Sequence, residues 1–121
     1  MLHSDILSKT NMPLIKSRWN PGKTSAWHSI FVQGDPAKWM PPKVYMQACG
    51  QDPVRGSCFI FEDILSEAGH EAKVDSYAGM FHAFTVILPQ SPMMVKLMND
   101  GVRAWAFLLD RPESEVQQYL M

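Results

Sequence analysis

Cysteine is scarce here, and neither sign of charge dominates. The 121 residues hold Cys49 and Cys58 and no other cysteine. Two are too few for a disulfide framework, and both lie in apolar runs, which predicts buried, reduced thiols. Eleven Lys and Arg against twelve Asp and Glu give a net charge of −1. That leaves no basic stripe for nucleic acid, which is not an expected partner, and no run of like charge. No apolar stretch approaches the ~20 residues of a membrane span. Met1 to Thr10 lacks a basic start followed by an apolar core, so no signal peptide is expected. The expectation is a soluble, cytoplasmic protein. His3, His28, His70 and the carboxylates show no metal-ligand spacing, and no cofactor is expected. There is no internal repeat or low-complexity tract. What is present is a 46% apolar composition, enough for a core, in a length that suits one small domain or part of a larger one.

The chain divides at Pro41-Pro42. Residues 1–40 show little periodicity and contain Pro13, Pro21, Gly22, Gly34 and Pro36. They read as loops with one short helix. So long an irregular stretch is uncommon inside a complete compact domain. Trp19, Trp27 and Trp39 in this part read as packing a loop onto a body, with a pocket wall as the alternative.

After Pro42 the pattern sharpens. Val44 to Cys49 is short, mostly apolar and followed by Gly50, as in a strand buried on both faces. Residues 56–68 place Cys58, Phe61, Leu65 and Ala68 on one helical face and Glu62, Asp63, Ser66 and Glu67 on the other. Gly69 stands where a left-handed C-cap is expected. Ala72 to Ala78 reads as a second strand. Strand, helix, strand over this length predicts a βαβ unit with a parallel pair. A final helix begins at Ser91-Pro92, an N-cap followed by proline at the first helical position. Its apolar stripe is Met94, Leu97, Met98, Gly101, Trp105 and Leu108, with Lys96, Asn99, Asp100 and Arg103 facing water. Residues 111–121 read as a polar tail. The fold class is α/β.

Two side chains stand where parallel sheets gather function. Asp52 follows the first strand and His82 lies in the loop after the second, both at carboxyl ends. Neighbouring strands lie ~4.8 Å apart, so the two loops can meet. An aspartate that accepts the Nδ1 proton of a histidine fixes its tautomer and stabilises imidazolium. Pro53 holds Asp52 extended, and Gly79 permits a sharp turn before His82. Each residue alone has a plainer account: Asp52 as a turn residue, His82 as a packed loop side chain. The pair at matching strand ends is what singles them out.

The segment Pro41-Pro42-Lys43-Val44-Tyr45-Met46-Gln47-Ala48-Cys49-Gly50-Gln51-Asp52-Pro53-Val54-Arg55 resembles the strand-to-acid segment of hormone-sensitive-lipase-like esterases, members of the α/β-hydrolase fold. Glu67-Ala68-Gly69-His70-Glu71-Ala72 is similar to that family's turn between helix and strand. Tyr77-Ala78-Gly79-Met80-Phe81-His82-Ala83-Phe84 is similar to its histidine loop. The resemblance covers residues 41–110 and implies that Asp52 is the triad acid and His82 the base. It implies the C-terminal part of such a fold, with residues 1–40 ending the excursion that builds cap and pocket walls, and small esters as the substrate class. The sequence also departs from the pattern. No serine here stands in Gly-x-Ser-x-Gly, the strained elbow that carries the nucleophile, and no His-Gly-Gly oxyanion motif occurs. Ala83 replaces the usual glycine after the histidine, and Gly56 stands where an aspartate is usual.

Three functional expectations follow. The first is an esterase-like hydrolase portion with acid and base but no nucleophile, hence without an acyl-enzyme route by itself. The second is a non-enzymatic module that pairs or self-associates through an unpaired strand edge. The third is one half of a split esterase, whose other half supplies serine and oxyanion hole.

Overall fold

The computed structural model describes residues 10–19, 22, 24–25 and 34–121. His3, His28 and Trp27 lie outside them. A short helix α1 (Met12–Arg18) opens the described chain, with Pro13 in its first turn. A 3-10 turn, Pro36–Lys38, is capped by the Asp35 side chain, which accepts from the Ala37 amide at 3.0 Å. Strand β1 (Lys43–Cys49), helix α2 (Gly56–Glu67) and strand β2 (Glu71–Tyr77) follow. A one-turn helix α3 (Phe84–Ile87) and a long helix α4 (Pro92–Leu108) complete the order, with two 3-10 turns after it. No described helix is long and apolar enough to cross a membrane.

β1 and β2 form a parallel two-stranded sheet in register from Lys43–Glu71 to Cys49–Tyr77. α2 joins them and turns into β2 at Gly69, whose φ of +85° is the left-handed conformation glycine adopts without penalty. α4 starts as its sequence predicts: Ser91 Oγ accepts from the Met93 amide at 3.2 Å, and Pro92 takes the first position. The core holds Ala48, Phe61, Leu65, Tyr77, Phe81, Phe84, Ala104 and Ala106. Trp39 stacks on Phe61 with ring centroids 6.5 Å apart, so this tryptophan does pack its loop onto the body, whereas Trp19 is exposed.

Three expectations change in three dimensions. β1 is not buried on both faces: only Ala48 is fully buried and Gln47 is exposed. The stripe of α4 is rotated. Met98 and Trp105 are exposed, while Ala104 and Ala106 are buried. Gly101 faces Gln47: a Cβ there would lie 3.8 Å from Gln47 Nε2, an ordinary van der Waals contact. Asp100 does not face water, because Tyr77, Lys96 and Arg103 all reach its carboxylate. The polar tail folds back on α4, where the Asn99 side chain bonds both backbone groups of Met121 at 2.8 and 3.3 Å.

Both cysteines are free and half-buried rather than fully buried. Burial, then the charge of Asp52, raises the pKa of each thiol.

Candidate active site

The sheet ladder continues past its last residue pair. The Gly50 amide donates to the Tyr77 carbonyl at 2.8 Å, and the Gln51 amide to the Met80 carbonyl at 2.8 Å. These two bonds tie the loop after β1 to the loop after β2. Only glycine fits the first contact: a Cβ on Gly50 would lie 2.9 Å from both Ala78 Cα and the Tyr77 carbonyl oxygen.

Asp52 closes a tight turn. Its amide donates to the Cys49 carbonyl at 3.0 Å, and its Oδ1 accepts from the Val54 amide at 2.9 Å. That second bond is the Asx turn favoured by aspartate at such a position. The plainer account of Asp52, a turn residue, therefore holds. Asp52 is 9% exposed, the one buried charged residue of the described core.

On the other side, Gly79 turns the chain with φ +76° and the Met80 amide returns to the Tyr77 carbonyl at 3.2 Å. Phe81 and Phe84 are buried on either side of His82 and anchor its loop. Ala83 between them has φ +56°, a left-handed conformation unusual for alanine. This is where the resembling family carries glycine.

His82 Nδ1 lies 2.6 Å from Asp52 Oδ2. A carboxylate oxygen accepts, so Nδ1 carries the proton and the neutral ring presents Nε2 as an acceptor. The His82 side chain is 42% exposed against 10% for that of Asp52. Among the described residues, none bonds Nε2. The arrangement is a histidine oriented from behind by a buried carboxylate, with its second nitrogen open to take a proton. What it can do is general-base chemistry. No described serine is bonded to His82, and the two nearby thiols are held protonated by burial and by Asp52, which makes them poor nucleophiles.

His70 stands apart. Its Nδ1 lies 2.8 Å from the Pro41 carbonyl, which pins the entry of β1 and not the end of α2. No group of three or more His, Cys, Asp or Glu that could hold a metal occurs among the described residues.

Sequence reasoning missed the support beneath the pair. Gly50 was visible only as a glycine after a strand. Asp100 has Lys96 four residues before it and Arg103 three after, a helix-surface charge pattern that conceals its bond to Tyr77.

The chain is similar to an AB hydrolase superfamily protein of Schizosaccharomyces pombe, with 25% identity over 114 residues. It is also similar to a versiconal hemiacetal acetate esterase of Dothistroma septosporum, with 36% identity over 63 residues. These likenesses support the α/β-hydrolase superfamily. The first covers 94% of this chain and the second 50%. The chain spans 33% of the length of the first relative, and the second match spans 19% of its relative. No family model matches the sequence. No solved structure matches it either.

Proposed function

We propose that these residues are the acid-and-base portion of a carboxylester hydrolase of the hormone-sensitive-lipase-like family, corresponding to its C-terminal part. Asp52 orients His82 and stabilises the imidazolium; His82 Nε2 takes the nucleophile's proton and returns it to the leaving alcohol. The observation that carries the reading is the 2.6 Å contact between Asp52 Oδ2 and His82 Nδ1, formed where two parallel strands end together. A small carboxylic ester is the substrate class, a reading supported by the esterase name of one relative. The nucleophile and the oxyanion donors come from outside these residues, in the same polypeptide or another. By itself the chain then has no acyl-enzyme route. Free thiols at Cys49 and Cys58 fit a reducing compartment such as the cytoplasm.

Turnover of p-nitrophenyl acetate by the purified chain tests this. Turnover equal to that of the His82→Ala variant is expected. Hydrolysis that His82→Ala abolishes would show that the chain holds a nucleophile of its own.

A second reading has its own observation. In the two-stranded sheet β1 pairs only with β2, so the other edge of β1 has no strand partner among the described residues. Such an edge can accept a strand from a second copy or another protein. A monomer in sedimentation velocity at all concentrations would rule out self-association through it.

A further inference from the structure

Tyr77 is the last residue of β2, opposite Cys49 at the end of β1. It is 1% exposed. Its backbone carbonyl accepts both the Gly50 amide at 2.8 Å and the Met80 amide at 3.2 Å, one from each site loop. Its ring packs 6.5 Å from that of Phe84, two residues after His82. Its hydroxyl donates to Asp100 Oδ2 at 3.1 Å and accepts from Gln47 Nε2 at 3.0 Å. Gln47 Nε2 also donates to the Leu97 carbonyl at 2.9 Å, which can only accept and so fixes the amide orientation. Lys96 reaches Asp100 and lies 5.2 Å over the Tyr77 ring. One side chain therefore links α4 to both loops that carry the acid and the base. The Gly50 contact leaves no slack, so a shift of the Tyr77 backbone moves both loops.

We propose that Tyr77 is a positioning residue for the Asp52–His82 pair, held by its hydroxyl to Asp100 on α4. Tyr77 acts through its carbonyl, which holds both loops, and through Phe84. Burial, then the bonded Tyr45, push its phenol far above the usual tyrosine range. It therefore stays a hydrogen-bond donor across the working pH. The inference rests on the acid-and-base reading above.

The test is nitrogen-15 NMR of the imidazoles in the 121-residue chain, with the His82 signals assigned by their loss in His82→Gln. The wild-type chain is expected to show a slowly exchanging Nδ1 proton that Asp52→Ala removes. If Asp52→Ala leaves that proton unchanged, the pairing itself fails, and this inference with it. Tyr77→Phe keeps the ring and loses the hydroxyl. Well below its melting temperature, its His82 Nδ1 proton should exchange about five to ten times faster, the factor that one ordinary hydrogen bond corresponds to. Val44→Ala, at the far end of β1, should lower stability without changing that rate. An unchanged rate in folded Tyr77→Phe overturns the proposal while leaving the acid-and-base reading intact. If Tyr77→Phe does not fold, Asp100→Ala, which removes the acceptor, replaces it: faster exchange supports the proposal and an unchanged rate overturns it.

Discussion

Gly50 and Tyr77 meet backbone to backbone: the Gly50 amide donates to the Tyr77 carbonyl at 2.8 Å, with no room between them for a side chain. This contact sets the spacing of the two loops above it. A methyl group at residue 50 would sit 2.9 Å from backbone atoms, which cannot rotate away. Gly50→Ala is therefore expected to cost about 1–3 kcal/mol, the usual range for overpacking. Urea unfolding of the two proteins measures it, and a loss within error of zero would mean the loops part easily.

Ala83→Gly should act in the opposite sense. Ala83 holds φ +56°, where an L side chain is strained by roughly 1–2 kcal/mol. Glycine relieves that strain but loses about 0.5–1 kcal/mol through its freer unfolded chain. A net gain of up to about 1.5 kcal/mol is expected, read as a higher melting temperature. A lower melting temperature would show that the alanine methyl makes a packing contact worth more than the strain.

The Asp100 carboxyl titrates below the usual aspartate range. Burial raises it, but hydrogen bonds from Lys96 and Tyr77 and the charges of Lys96 and Arg103 outweigh that. As pH falls, the unfolded chain then takes up this proton first. The contribution of Asp100 is complete above the unfolded value, near 4, and disappears as pH falls through the lower folded value. Asp100→Asn should therefore be less stable than the parent at pH 6. The difference should shrink in acid, as urea midpoints measured from pH 6 downward would register. A constant difference across that range would refute the assignment.

Cys49 and Cys58 should react slowly with Ellman's reagent at pH 8 in the folded chain and at the ordinary rate in urea. Burial and the charge of Asp52 both disfavour the thiolate that reacts. Asp52→Asn removes the charge and leaves the burial, so it should speed the reaction of the folded protein. Equal rates in parent and variant would show that burial alone protects the thiols.

The elements that carry the site were legible because their signals are local. The helical face of Phe61 and Leu65, the turn at Gly69 and the Ser91-Pro92 start all depend on residues a turn apart, and α2 and α4 form there. β1 and β2 each begin one residue earlier than expected. Orientation was less legible. Trp105 dominates any apolar count on α4, yet 61% of it is exposed, and the buried face carries Ala104 and Ala106 instead. Asp100 looked like a surface charge because its decisive partner, Tyr77, lies 23 residues away.

By itself, the sequence determined the two strands, the helix between them and the long last helix, and that Asp52 and His82 follow strands at the same end, because periodicity and chain order are local properties. Only the tertiary structure decided that Asp52 and His82, 30 residues apart, lie 2.6 Å from one another. It alone decided that Ala83 turns left-handed and that Tyr77 joins α4 to both loops. Each of these depends on contacts between segments distant in the chain, which no stretch of residues encodes until the others are packed against it.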